Sequence, residues 1–314
     1  MCKRKQIITI TGPTASGKTR LGVELAKALG GEVVSADSMQ VYRRMDIGTA
    51  KPTMEERQGV PHHMIDVAEP EENYSVACYV RDAIPVVDDI LSRGRVPIVV
   101  GGTGLYVDSL IAGRQFAAFR GEVRAGLQER ERREGIDALL RELAEIDPES
   151  AEKLHPSNSK RILRALEVWY ETGKTISEHN REDRARPPRY EALRLCLDFR
   201  DRREMRALIN RRVDEMLERG LPEEIRALLD SGVPLNCTAM QAIGYKEFVQ
   251  ALTGGGSVTQ AAQLVKLRTG QYAKRQLTWF RRHPDTRWFF WQGQRDFAAA
   301  LQFATQNTAQ MGIN

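Results

Sequence analysis

At 314 residues the chain exceeds the usual single-domain size, and its ordinary globular composition predicts one large core with an insertion or second lobe. No apolar run approaches the ~20 residues that span a bilayer, and residues 1–5 lead straight into a strand pattern and not into a signal-peptide apolar segment, so a soluble cytoplasmic protein with no membrane partner is expected. The net charge of +5 is uneven: residues 193–314 hold 18 basic and 12 acidic groups while the rest nearly balances, which suits either a polyanionic partner or ordinary solvated helix faces.

Residues 6–11 are β-branched and apolar and predict the first strand. Gly12-Pro13-Thr14-Ala15-Ser16-Gly17-Lys18-Thr19 then fits the template G-x-x-x-x-G-K-[ST] without a gap, and residues 18–29 carry Leu21, Leu25 and Leu29 on one helical stripe. Strand, glycine-rich turn and helix in that order make a phosphate cradle. The glycines let N–H groups of residues 14–19 point inward, the helix start adds partial positive charge, Lys18 reaches the outer phosphate oxygens, and Thr19 can hold Mg²⁺. All eight residues are candidates for binding a diphosphate or polyphosphate. Which one, and whether a phosphoryl group moves, the loop leaves open.

Residues 32–36 read as the second strand, ending at Asp37, and 96–100 as another, ending at Gly101-Gly102-Thr103-Gly104; such continuous apolar runs suit a parallel sheet covered on both faces. Between them lie a long proline-bearing loop, 43–73, and a helix, 74–93. From residue 113 the pattern changes to charged helical stretches at 122–134 and 136–146, a break at Pro148, a helix at 160–172 and a polar, Arg-rich segment at 181–189. Strand character returns at 193–199, followed by helices at 202–219, 222–230, 241–253 and 259–282, a strand at 288–291 and a helix at 295–306. The expected fold is α/β, with a P-loop NTPase-like parallel sheet core (1–112 and 193–314), a small helical insertion domain (113–192) and a helical C-terminal part. Cys2, Cys78, Cys196 and Cys237 lie far apart with no C-x-x-C pair, which argues against a disulfide framework and a zinc site.

Asp37 closes a strand beside the cradle, where a carboxylate serves as general base or Mg²⁺ ligand, or merely caps the following turn. The wider pattern bears on that choice. Asp37-Ser38-Met39-Gln40-Val41-Tyr42, Gly48-Thr49-Ala50-Lys51-Pro52, His62-His63-Met64-Ile65-Asp66, Gly101-Gly102-Thr103-Gly104-Leu105-Tyr106, Lys160-Arg161-Ile162-Leu163-Arg164, Ile243-Gly244-Tyr245-Lys246-Glu247 and Arg275-Gln276-Leu277-Thr278-Trp279-Phe280-Arg281 stand in order with the phosphate loop. Together they resemble the tRNA dimethylallyltransferases over nearly the whole chain. The resemblance implies transfer of a dimethylallyl group from dimethylallyl diphosphate to N6 of the adenosine 3′ of the anticodon, with Mg²⁺ as cofactor, Asp37 as the base and Thr103 beside it. Lys18 and Arg212 would be the catalytic cations for the departing diphosphate. Arg212 has a plain alternative, an ion pair with Asp214 or Glu215 on its own helix.

The same resemblance puts tRNA at Asp37, Ser38, Met39, Gln40 and Thr103, with Gln40 reading a base edge. Arg124, the run Lys160, Arg161, Ile162, Leu163 and Arg164, and Lys274, Arg275, Thr278 and Arg281 would supply further contacts. Trp279 and Phe280 fit base stacking or the core equally well. His62 and His63 with Asp66 invite a metal reading, which adjacent histidines pointing to different sides do not favour. Two rival functions share the loop: prenylation of free AMP, ADP or ATP, and small-molecule phosphorylation. A mononucleotide would need neither the insertion nor the basic final third. A monomer is expected.

Overall fold

The computed structural model describes residues 5–114, 116 and 121–313; Cys2 lies outside them. Six strands, β1 (Gln6–Thr11), β2 (Glu32–Ser35), β3 (His62–His63), β4 (Pro97–Val100), β5 (Glu191–Phe199) and β6 (Arg287–Trp291), form one sheet in the order β3-β2-β4-β1-β5-β6. Every pairing is parallel. Strands buried on both faces read as continuous apolar runs, and Ile8, Ile10, Ile98, Leu195 and Phe199 are essentially inaccessible. The parallel order brings the carboxyl ends of β1, β2, β4 and β5 to one edge, where the phosphate loop, Asp37 and Gly101 emerge.

The chain divides into two compact units, one of residues 1–113 with 189–314 and the other of 114–188. The expected boundary at 192 moves to 188 because Arg189 and Tyr190 both bond Asp88 of the sheet unit and Glu191 opens β5. The smaller unit has its own core of Leu127, Leu139, Leu143, Ile162, Leu163 and Leu166. Ile162 and Leu163, expected among the tRNA contacts, are at most 2% exposed, so their side chains pack this core and present nothing to RNA.

Three local expectations need correction. The polar segment from 181 onward is helical to Ala185, within the helix Ile176–Ala185, which a capping box of Thr175 and Glu178 starts. The 43–73 loop contains a short helix, Met54–Arg57, and the edge strand β3. The helix expected at 241–253 starts only at Tyr245, because Gly244 has φ +102°, outside helical backbone.

Glu32, 2% exposed, anchors the amino end of β2. It accepts Arg93 Nη2 at 2.9 Å and His63 Nε2 at 2.7 Å, with Arg95 Nη1 at 3.2 Å. The hydrogen bond from Arg93, opposed by burial and aided by His63, holds its carboxyl at about 2, against an ordinary 4.5. A depressed carboxyl pKa stabilises the fold above the unfolded value, and that stability is lost as pH falls from about 4.5 toward 2. Glu32→Gln should lower the unfolding free energy at pH 7 by on the order of 2 kcal/mol, and denaturant titrations should show the difference from wild type shrinking through that acid window.

Candidate active site

The phosphate loop joins β1 to the helix Lys18–Leu29. Gly12 has φ +138°, and a methyl group there would lie 2.4 Å from the Leu197 carbonyl oxygen, so only glycine fits between the loop and β5. Side chains pin the loop's peptide groups. Lys18 Nζ donates to Pro13 O at 2.7 Å, Arg295 Nη1 to Ala15 O at 3.2 Å and Trp291 Nε1 to Ser16 O at 2.9 Å. In the other direction, Thr14 N–H donates to Gln276 Oε1 at 3.0 Å. The expected set of inward amides is therefore smaller: Thr14 is occupied, and Ser16 N–H turns to Pro13 O at 3.4 Å. At the helix start Gly17 brings no capping side chain, which leaves the first N–H groups of Lys18 and Thr19 and the positive end of the helix for an anion.

Two cations face this loop. Arg212, on the helix Arg202–Glu218, donates from Nη1 to Thr14 Oγ1 at 3.5 Å. Among the described residues no ion pair joins Arg212 to its own helix: Asp214 pairs with Lys266 at 2.5 Å and Glu215 with Arg211 at 2.8 Å. Burial, reinforced by repulsion from Arg212, pushes the Lys18 ammonium down to about 8, while Asp37 opposes the shift. Burial also lowers Arg212, again opposed by Asp37. The carboxylate thus lies within electrostatic reach of both cations, and all three residues line one cleft of about 1010 Å³ with Thr19, Met39 and Arg275.

Asp37 holds its turn with one oxygen only. Oδ1 accepts Met39 N–H at 2.9 Å and Gln40 N–H at 3.4 Å, so the capping role is real, while Oδ2 has no hydrogen bond among the described residues. Thr103 supports this turn: its Oγ1 accepts Ser38 N–H at 3.0 Å and donates to Ser38 Oγ at 3.3 Å. The hydroxyl expected to meet a base or leaving group is instead occupied by Ser38. Gln40 is likewise committed, accepting from Ser35 Oγ at 3.1 Å and donating to the carbonyls of Thr49 and Ala50 at 3.3 and 3.2 Å, so its amide is not free to read a base edge.

Residues that spacing did not reveal hold the cleft wall. Glu224 accepts the N–H groups of Asp46, Ile47 and Gly48 at 2.7, 2.7 and 3.1 Å, and the Tyr245 hydroxyl at 2.6 Å. Lys51, 6% exposed, bonds Tyr42 O, Asp46 and Asp66. These contacts tie the segments 48–52, 62–66 and 243–247 together: Lys51 joins Asp66, and Glu224 joins Gly48 to Tyr245. His63 pairs with Glu32 and His62 Nδ1 with Val60 O, and among the described residues no group of three or more potential ligands could hold a metal.

Of the remaining expected contacts, Ser38 and Met39 line the cleft with Arg275, whose guanidinium lies 5.6 Å from the Tyr272 ring centroid. Lys274 and Thr278 are exposed on the same helix, Val258–Phe280, and exposed Arg281 follows it, 3.4 Å from Asp198. Phe280 is core, and Trp279 Nε1 donates to Asp108 at 2.7 Å, so both aromatics are structural. In the smaller unit Lys160 and Arg161 are exposed, while Arg124 and Arg164 both bond the buried Glu167.

The profile of the IPP transferase family matches residues 40–283, and that of the isopentenyl transferases residues 5–69. A tRNA dimethylallyltransferase of Caldanaerobacter subterraneus subsp. tengcongensis is 48% identical over 288 residues, 91% of each chain. One of Pelotomaculum thermopropionicum is 45% identical over 302 residues, 96% of this chain and 95% of its own. The crystal structure of a full-length tRNA isopentenylpyrophosphate transferase from Bacillus halodurans superposes with a TM-score of 0.72 at 40% identity, covering 98% of both chains. A eukaryotic dimethylallyltransferase acting on tRNA superposes at 0.80 with 32% identity, covering 98% of this chain and 78% of that one.

An ammonium near pKa 8 attracts a diphosphate only while protonated. Affinity for inorganic diphosphate should therefore fall roughly tenfold between about pH 7.5 and 9.5. Lys18→Met should bind more weakly and without that fall, and calorimetric titration across the range checks both.

Proposed function

The chain belongs to the IPP transferase family, and from that premise we infer that it transfers the dimethylallyl group of dimethylallyl diphosphate to tRNA, at N6 of the adenosine 3′ of the anticodon. One observation carries the chemistry: a carboxylate with an unengaged oxygen, Asp37, lines the same cleft as the phosphate cradle with Lys18 and Arg212.

In the reaction the allylic carbon–oxygen bond breaks and a nitrogen–carbon bond forms. Negative charge gathers on the bridging oxygen of the leaving diphosphate. Lys18, Arg212 and the unoccupied N–H groups at the start of the Lys18–Leu29 helix stabilise it more strongly than they stabilise the neutral ester linkage, which is the requirement for lowering the barrier. The adenine amine, whose lone pair is delocalised into the ring, must lose a proton as it attacks, and Asp37 Oδ2 accepts it. Thr103 and the turn 37–40 keep that oxygen directed, since Oδ1 is anchored to two amides. The donor set suits Mg²⁺: the Thr19 hydroxyl beside the cradle and hard oxygens of the diphosphate would hold it, and it would neutralise part of the leaving group's charge.

Reaching N6 requires the base to leave its stack, a cost of a few kcal/mol. Lys274, Arg275, Thr278 and Arg281 in the larger unit, and Lys160, Arg161, Arg164 and Arg124 in the smaller, are assigned to tRNA contacts that offset it. Relatives named for action on tRNA match across the 114–188 unit as well as the core, which disfavours a mononucleotide acceptor. A kinase would consume ATP, whereas this reaction releases diphosphate without it.

Mass analysis of nucleosides after incubation with dimethylallyl diphosphate should find isopentenyladenosine in tRNA and none from AMP; product from AMP alone would overturn the reading. Asp37→Asn, which keeps an oxygen for the turn, should slow transfer by about 10²–10⁴-fold while tRNA affinity stays within about twofold. An undiminished rate in that variant would remove Asp37 as the base.

A further inference from the structure

We propose that Gln276 is a positioning residue that locks the phosphate loop to the turn supporting Asp37, so that the diphosphate cradle and the base act as one rigid unit. The proposal rests on the transfer reading above for what the two parts do. Its structural content is independent of that reading.

Gln276 lies on the helix Val258–Phe280 and is 6% exposed. Its carboxamide bridges two segments of the sheet edge: Oε1 accepts Thr14 N–H at 3.0 Å, and Nε2 donates to Gly102 O at 3.0 Å. The approach is so close that a methyl on Gly102 would sit 2.1 Å from Nε2, which gives this glycine a reason beyond turn geometry. On one side of the bridge, Thr14 also receives Arg212 on its hydroxyl. On the other, Gly102 precedes Thr103, whose hydroxyl holds Ser38 and whose N–H donates to Ala36 O at 3.2 Å, on either side of Asp37. Tyr272, one turn earlier on the helix, lines the same cleft as Gln276.

Only a side chain with a donor and an acceptor in one short planar group satisfies both peptides. A carboxylate would present lone pairs to the Gly102 carbonyl, and an apolar side chain would leave the buried Gly102 carbonyl and the part-buried Thr14 N–H without these partners. Catalysis by placement is sensitive to such play, because a shift of about 1 Å between reacting groups costs on the order of 100-fold. Lys274, Arg275 and Thr278, the residues assigned to tRNA, sit within two positions of Gln276 on the same helix. A helix that engages RNA on its outer side is thereby tied to both halves of the reaction centre on its inner side.

Gln276→Met keeps length and volume but neither donates nor accepts at these distances. It should lower kcat by about 100-fold and weaken binding of inorganic diphosphate about tenfold, while the tRNA Kd stays within about twofold and the thermal midpoint within a few degrees. Gln276→Glu tests the chemistry of the bridge. At pH 8 its carboxylate lacks the donor, whereas its protonated form, which burial against the Gly102 carbonyl favours, offers both a donor and an acceptor, so the ratio of variant to wild-type diphosphate affinity should recover as pH falls. Wild-type kcat and diphosphate affinity in Gln276→Met would overturn the proposal. A pH-independent ratio for Gln276→Glu, or a loss of tRNA affinity and heat stability in step with activity, would overturn it as well by making Gln276 a packing residue. Diphosphate calorimetry involves no transfer, so it judges Gln276 even if the wild type fails to prenylate tRNA.

Discussion

The site depends on peptide groups of a glycine-rich loop being held in fixed orientations before any ligand arrives. Glycines make the curl possible, but permissive backbone does not choose one curl. Here the choice is made by Lys18 on Pro13, Arg295 on Ala15, Trp291 on Ser16 and Gln276 on Thr14. Three of these come from segments more than 260 residues away in sequence. Donors fixed in this way need no reorganisation as charge develops on a leaving group, which is the source of their catalytic value.

Charge in the cleft follows the same logic. Lys18 and Arg212 are enclosed near one another, and burial together with mutual repulsion weakens the proton affinity of the lysine. Asp37 opposes that repulsion only in part. A diphosphate resolves the imbalance by replacing lost hydration with negative charge, so the cations favour an anionic occupant before chemistry begins. Asp37 lines the same cleft, which is the placement that the proposed transfer needs for a base facing the leaving group.

Much of this was readable in the chain. The strand, loop and helix at 6–29 were set by local glycine chemistry and apolar spacing, and the sheet strands by continuous hydrophobic runs. What misled was local reading of groups whose partners are remote. Ile162 and Leu163 sit between basic residues in sequence but face the core of the smaller unit, because neighbours on a helix point about 100° apart. Gln40 and Thr103 carry the right functional groups for RNA or diphosphate, yet each is held by backbone or hydroxyl partners on the cleft wall. The helix at 176–185 was signalled by Thr175 and Glu178, and a polar composition concealed it.

By itself the sequence determined where the backbone could curl around an anion, which segments had to be strands or helices, and that a carboxylate stood at the end of a strand beside the loop. These are properties of steric freedom and hydrophobic period, which act between near neighbours. Only the tertiary structure decided which polar groups remain available: Asp37 Oδ2 is, while Thr14 N–H, Thr103 Oγ1 and the Gln40 amide are not. A hydrogen-bond partner depends on approach in space, and parallel crossovers bring Gln276 and Trp291 to a loop that spacing along the chain could never connect with them.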